Sequence, residues 1–297
     1  MSRPSSRGEP RHPAYGELHP VTPYAAVLLA RNPSPMTLEG TNSWVLHAPG
    51  TPSCVVVDPG PDDEAHLRGL AAAGRVELIV VTHHHADHTA GVDRLHELTG
   101  APVLAVDPAY RRGAHAASAL ADSTQISAGG VAMTVFATPG HTADSVSLLV
   151  GAADGDDAIL TGDTVLGRGS TMIAAPDGDL GAHLDSLRRI RAVGGRLLPG
   201  HGPDRPDARA VVTAYLAHRM DRLDQVGTAL RRRDAFAGEV EAADIVPEVY
   251  ADTDPVLWPA AEQSVAAMLE YLRAGAAQAT QQAAGTSRAS VERDGRQ

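Results

Sequence analysis

A histidine-rich segment, Thr-His-His-His-Ala-Asp-His at residues 82–88, directly follows a short apolar run rich in β-branched residues. Such a run is typical of a buried strand. Alternate side chains of an extended segment face the same way, so His83, His85 and Asp87 would share one side. His88 then follows at a turn into a helix. The segment therefore predicts metal-binding side chains at the carboxyl end of a strand, where α/β folds commonly place their ligands.

Three further segments repeat this design, each with one His or Asp just after a strand-like run. They are Thr138-Pro139-Gly140-His141-Thr142, Thr161-Gly162-Asp163-Thr164 and Leu198-Pro199-Gly200-His201-Gly202. In each of them a Gly beside the donor lets the backbone turn tightly. A histidine cluster alone could be compositional, since the chain has 14 histidines. Four segments of one design instead favour a single shared metal centre.

This ordered series resembles the metallo-β-lactamase-fold hydrolase superfamily over residues 24–205. Asp58, at the end of the run Val55-Val56-Val57, matches the acidic residue of that family's first motif. The resemblance implies an α/β fold, an αββα sandwich of two sheets faced by helices. The alternation of strand-like and helical segments through this part of the chain agrees with that architecture.

The resemblance also implies seven ligands for two cations. They are His83, His85 and His141 for the first, Asp87, His88 and His201 for the second, and Asp163 as a bridge. Ligation by imidazoles without thiolate suits zinc, although iron and manganese also accept such ligands. Two cations about 3.5–4 Å apart can share a hydroxide that attacks an ester-type bond. Asp87 is also a candidate catalytic residue, as a base or as a ligand only, and Asp58 is expected to fix a ligand imidazole.

A narrower resemblance, to the β-lactamase-like-protein-2 subgroup, is carried by residues 32–42, residues 162–167 and His218-Arg219. Ser34 departs from it, because the subgroup has Gly there. The subgroup implies either thioester hydrolysis on a small acyl substrate or endoribonuclease cleavage of single-stranded RNA. It also implies a small winged-helix-like module after the catalytic domain, which we expect to act in packing or as a substrate cap.

Boundaries follow from changes of composition along the chain. We expect a disordered lead-in at 1–20, the catalytic domain at 21–206, a helical winged-helix-like module at 207–275 and a disordered tail at 276–297. The lead-in has no apolar core of a secretory signal, and no apolar run is long enough to span a membrane. A cytoplasmic enzyme is therefore expected, while the oligomeric state stays open.

Two features of the composition, the lack of lysine and the single cysteine, exclude whole classes of mechanism. The chain has no lysine, which excludes Schiff-base lysines and phosphate-loop lysines. Cys54 is its single cysteine, so intrachain disulfides and four-cysteine clusters are excluded, and a buried packing role is expected for it. No disulfide-linked partner is expected.

The formal net charge of −11 argues against general binding of nucleic acid. Local groups of arginines, including Arg219 and Arg222, are expected on solvated helix faces, with a nucleic-acid contact as the alternative. His183 and His218 are candidates for the pocket mouth.

Two other functions compete with a zinc-dependent hydrolase. A mononuclear iron dioxygenase would need only a subset of the same ligands, and metal stoichiometry would separate the two. A non-catalytic metal-binding regulator with a nucleic-acid-binding C-terminal module is the other alternative, and the presence of all seven ligands argues against it.

Overall fold

Two β-sheets form the centre of the molecule. The computed structural model describes residues 14–115, 119–151, 157–237 and 239–294, with side chains described up to residue 277 except that of His115. The first sheet has the order β1 (Leu18–Thr22), β2 (Ala25–Leu29), β3 (Asn42–Leu46), β4 (Ser53–Val57), β5 (Arg75–Val80) and β6 (Val103–Leu104). Its neighbours are antiparallel as far as β4, and β4, β5 and β6 are parallel.

The second sheet consists of β7 (Gln125–Ala128), β8 (Val131–Ala137), β9 (Val146–Gly151), β10 (Ala158–Gly162) and β11 (Arg196–Pro199). Its spatial order is β11-β10-β9-β8-β7. The pair β10–β11 is parallel and the other pairs are antiparallel. Because β9 is antiparallel to both neighbours, β8, β10 and β11 all run in the same direction.

The helices cover the outer faces of both sheets and form the C-terminal part. They are α1 (Glu64–Ala72), α2 (Ala86–Thr89), α3 (Val92–Thr99), α4 (Leu180–Val193), α5 (Ala208–Arg232), α6 (Ala242–Val249) and α7 (Trp258–Asp294). None of the helices in the described residues combines the length and apolarity that a membrane span requires.

Three apolar layers hold the sandwich together. Trp44 and Val57 of the first sheet pack against Met133 and Leu148 of the second. The outer face of the first sheet packs on α1 and α3, and that of the second on α4 and α5. The αββα sandwich implied by the sequence is therefore confirmed. Cys54 belongs to the layer under α1, and burial raises the pKa of its thiol to about 11, consistent with a packing role.

The structure differs from the expected elements in a few places. The short strands β1 and β7 were not expected, because a Pro within β1 and a four-residue length for β7 leave little periodicity. Pro20 is tolerated because β1 lies at the sheet edge, and Leu18–Pro20 are thus part of a strand rather than of a disordered lead-in. Residues 1–13 of that expectation lie outside the described residues.

Two helices also differ from the expectation. The helix expected to begin near His88 is divided into two, since Gly91 separates α2 from α3. A Cβ at Gly91 would lie 2.6 Å from Cδ2 of Leu67, so a larger residue there would have to displace this buried leucine side chain. The tail expected to be disordered from 276 is helical as far as Asp294, since α7 continues through it. Ala and Gln, which dominate this stretch, have high helix propensity.

Truncation of Leu148 tests the layer between the sheets. Leu148 is fully buried, so we expect Leu148→Ala to lower the free energy of unfolding by about 2–5 kcal/mol through lost burial and a residual cavity. Leu18→Ala is the control, because Leu18 is 39% exposed and should change stability by less than about 0.5 kcal/mol. Urea denaturation measures both, and equal effects would contradict the layered core.

Candidate metal centre

Polar side chains gather where five strands end. Asp58 follows β4, His83 follows β5, His141 follows β8, Asp163 follows β10 and His201 follows β11. The remaining donors lie in and just before the short helix α2. All seven side chains expected from the sequence meet here, in two groups of possible ligands whose donor atoms lie within 4.8 Å of one another in each group.

The first group consists of His83, His85, His141 and Asp163. The Nδ1 atom of His85 lies 3.1 Å from Nε2 of His83 and 3.0 Å from Nε2 of His141. His83 and His141 are buried, whereas His85 is partly exposed. Three ring nitrogens thus face one point.

The second group consists of Asp87, His88 and His201. The Nε2 atoms of His88 and His201 are 3.3 Å apart, and Oδ2 of Asp87 lies 3.3 and 3.2 Å from them, respectively. Both imidazoles are buried, while the Asp87 side chain is 28% exposed. Asp87 is therefore the most exposed member of this group.

Asp163 lies between the two groups. Its Oδ2 atom is 3.9 Å from His83, 3.7 Å from His141 and 3.2 Å from His201, and its Oδ1 atom is 3.5 Å from His88. The carboxylate is nearly buried, yet Oδ1 has no hydrogen-bond partner. A buried carboxylate oxygen without a donor is costly, and a cation would satisfy it.

The outer nitrogens of four imidazoles fix their tautomers. Nδ1 of His141 faces the carbonyl of Met172 at 2.9 Å, and Nδ1 of His201 faces the carbonyl of Gly40 at 3.1 Å. Since a carbonyl only accepts, each Nδ1 carries the proton and each Nε2 presents its lone pair to the centre. This arrangement is typical of metal-binding histidines.

Asp58 fixes the other two imidazoles. Its Oδ2 atom lies 2.9 Å from Nδ1 of His88 and accepts a 2.8 Å hydrogen bond from the Thr82 hydroxyl. Because that hydroxyl donates to Asp58, it accepts from Nδ1 of His83 at 3.0 Å. Asp58 is 1% exposed and has a positive φ of 55°, which Asp tolerates better than most residues. One buried carboxylate thus orients a histidine of each group.

Both carboxylates of the centre are ionised at neutral pH. Burial raises the pKa of Asp163, but the imidazoles of His201 and His88 outweigh it and hold that pKa well below its ordinary range. For Asp87 burial likewise raises the pKa, and the neighbouring imidazoles of His201 and His88 outweigh it and lower that pKa to about 2. Five imidazoles and two carboxylates therefore form a donor set that fits two divalent cations.

Close backbone approach explains two glycines of the motifs. A Cβ at Gly200 would lie 2.4 Å from Oδ1 of Asp163 and 2.8 Å from Cε1 of His88. Gly162 has φ +47°, and its Cβ would lie 2.5 Å from the Thr82 hydroxyl. Only glycine, which has no Cβ, leaves room for the Asp163, His88 and Thr82 side chains beside these two positions.

The other polar residues singled out from the sequence have separate places. The His84 ring turns away from the centre to contact Asp144 at 2.9 Å, consistent with a structural role. The Thr41 hydroxyl donates to Asp87 at 3.0 Å, and Asn42 donates to the carbonyls of Pro199 and Gly202. His183 is fully buried and neither ring nitrogen has a hydrogen-bond partner, so it does not lie at the pocket mouth.

A cavity of about 350 Å³ opens beside the centre. His141 and Asp163 line it, together with residues of α5, α7 and the segment after α6. Arg219 lies in the cavity wall with 3% exposure, which corrects the expectation of a solvated helix face. No local pattern in the sequence reports this burial, because it depends on contacts with distant parts of the chain such as the carbonyl of Thr171.

Comparison with known proteins places these observations in a family. Residues 36–201 match the model of the metallo-beta-lactamase superfamily. The chain belongs to that superfamily, and it is a hydrolase of the metallo-beta-lactamase fold. Residues 242–275 match the beta-lactamase associated winged helix domain, which confirms the expected C-terminal module.

Several similar proteins align with most of this chain. A beta-lactamase-like protein 2 homolog of Caenorhabditis elegans is 30% identical over 257 residues, 82% of each chain. A protein of Aspergillus fumigatus named atrochrysone carboxyl ACP thioesterase is 32% identical over 233 residues, 74% of this chain and 69% of its own. A beta-lactamase domain protein from Burkholderia ambifaria has the same fold, with a TM-score of 0.69, 23% identity and 90% of both chains covered.

Replacing Asp58 tests how the imidazoles are oriented. We expect Asp58→Asn to weaken metal binding by about 10–100-fold, because the amide cannot accept from Thr82 and His88 as the carboxylate does. Competition with a chelator measures the affinity. Asp144→Asn is the matched control, since Asp144 contacts His84, which lies outside the donor set. Equal loss in both variants would contradict the orienting role.

Proposed function

We propose that this protein is a dinuclear, zinc-dependent hydrolase that cleaves the thioester bond of a small acyl substrate. The observation that carries the proposal is the pair of donor groups, with Asp163 between them, beside a cavity of small-molecule size. His83, His85 and His141 would hold one cation, and Asp87, His88 and His201 the second. Zinc fits the imidazole-rich set best.

The cations would supply a water of lowered pKa and polarise the substrate carbonyl. Asp87, the most exposed member of the second group, would accept the proton that this water releases as it attacks. Thr41 would hold Asp87 in place through its hydroxyl. The carbon–sulfur bond then breaks, the thiol leaves with a proton, and the acyl group is released as a carboxylate.

The size of the cavity favours an acyl thioester over RNA. Its volume of about 350 Å³ falls at the lower end of small-molecule sites, and residues of the C-terminal module line part of it. The relative named as a thioesterase supports the same chemistry. The net charge of −11 disfavours a polyanionic chain.

Parallel assays of one preparation test this proposal. Purified protein is given an acyl thioester of N-acetylcysteamine and a single-stranded RNA, each with and without a chelator. We expect hydrolysis of the thioester alone, its loss with the chelator and its recovery on adding Zn²⁺. Cleavage of the RNA with no thioester hydrolysis would overturn the proposal in favour of an endoribonuclease.

A further inference from the structure

Arg219 is a buried cation that has no anionic partner among the residues that the structure describes. Its Nη2 atom donates to the carbonyl of Thr171, and its Nε atom has no hydrogen-bond partner. Burial lowers the pKa of Arg219, and the groups that oppose this are Tyr215 and Tyr250 rather than a carboxylate of the described residues. A buried guanidinium without a counter-ion is unfavourable unless a ligand supplies the negative charge.

Arg222 lines the same cavity one turn further along α5. It donates to the side chain of Gln225 at 2.8 Å and to the carbonyl of Val249, and it lies 4.4 Å from the ring centre of Tyr250. Within the described part of the chain, no carboxylate forms an ion pair with it either. Arg168, the third arginine of the cavity, is by contrast paired with Glu39 at 2.6 Å. Arg219 and Arg222 therefore give the cavity wall a positive charge that no carboxylate of the described residues pairs with, although the formal net charge of the protein is −11.

This positive wall lies close to the donor groups. Arg219 donates to Thr171, and the Thr171 hydroxyl lies 3.1 Å from Nδ1 of His141. The rest of the cavity lining is mainly apolar, with side chains that include Met36, Leu38 and Leu166. A ligand that reaches both ends would have a short apolar body and an anionic end.

We infer that Arg219 and Arg222 bind a carboxylate at the far end of the acyl group, so that the enzyme selects short dicarboxylic acids joined to a thiol by one carboxyl. This inference rests on the proposed thioester hydrolysis. Guanidinium groups bind carboxylates through paired, charge-assisted hydrogen bonds. The acyl half fits better than the thiol half, because the cavity of about 350 Å³ is too small for a whole coenzyme.

Four substrates test whether the bound anion belongs to the acyl half or to the thiol half of the thioester. Glutaryl and pentanoyl groups, which differ by the terminal carboxylate, are each joined to N-acetylcysteamine and to coenzyme A. We expect kcat/KM for glutaryl to exceed that for pentanoyl by roughly tenfold to a hundredfold on both thiols. A preference that instead follows coenzyme A would place the anion in the thiol half and overturn the inference.

The variant Arg219→Gln tests the residue itself. The glutaryl-to-pentanoyl ratio should fall close to one, mainly through a higher KM for glutaryl. If Arg219 only held the loop of Thr171, both substrates would lose activity equally and the ratio would stay as in the wild type. Arg222→Gln gives the same test should Arg219→Gln not fold, as judged by circular dichroism.

Arg231→Gln is the matched control, because Arg231 lies on the same helix but is exposed. It should leave the ratio unchanged. Equal hydrolysis of glutaryl and pentanoyl thioesters by the wild type would overturn the inference and leave the thioesterase proposal intact. Hydrolysis of none of the four would overturn both.

Discussion

Asp163→Ala is expected to lower kcat/KM by about a thousandfold or more and to lower bound metal at the same time. Asp163 is the donor that faces histidines of both groups, so its removal takes negative charge from both cation positions. Cations contribute several kcal/mol of transition-state stabilisation, and each 1.36 kcal/mol corresponds to a tenfold rate. Elemental analysis and steady-state kinetics on the same preparation measure both quantities.

His84→Ala is the control for this variant. His84 belongs to the same histidine-rich segment, but its ring contacts Asp144 outside the donor groups. We expect His84→Ala to keep its metal and to keep its activity within about tenfold, since substitutions away from the donor groups have small effects. Two cations and normal turnover in Asp163→Ala would refute the bridging role.

Gly200→Ala is expected to lower kcat/KM by at least about a hundredfold, although it removes no donor. The added methyl group would lie 2.4 Å from Oδ1 of Asp163 and 2.8 Å from the His88 ring, so at least one of the two must move. A displacement of about 1 Å at a catalytic centre can cost about a hundredfold in rate. Kinetics at saturating Zn²⁺ measure the effect.

Gly151→Ala provides the comparison, because Gly151, the last residue of β9, likewise has no positive φ. Its Cβ would meet only an oxygen of Asp157, at the ordinary contact distance of 3.8 Å. We expect near wild-type activity for it. Similar activities of the Gly200 and Gly151 variants would mean that the donors do not need the space beside Gly200.

The seven donors could be predicted from the sequence because each stands in a strong local pattern. An apolar run followed by Gly and a His or Asp, as at His141 and His201, shows both that a strand ends and that a polar side chain follows. The carboxyl ends of strands that run in the same direction lie at the same edge of the sandwich, so the side chains that follow them come together. The structure brings the same seven side chains into two neighbouring groups, with Asp163 facing histidines of both.

Other features depend on contacts between distant parts of the chain, which no local pattern reports. Thr82 orients His83 only because β4 and β5 are neighbours and bring Asp58 beside it. The burial of Arg219 arises from packing of α5 against the loop that contains Thr171. Strands as short as β7 gain stability from their neighbour in the sheet rather than from their own periodicity.

Titration of the metal-free protein with Zn²⁺ tests the central claim most directly. Bound metal and thioester hydrolysis are followed together as Zn²⁺ is added to a known amount of protein. Two equivalents at saturation, with activity rising to its maximum only as the second binds, are the predicted result. Saturation at one equivalent with full activity, or one tightly held iron in the purified protein, would contradict the account.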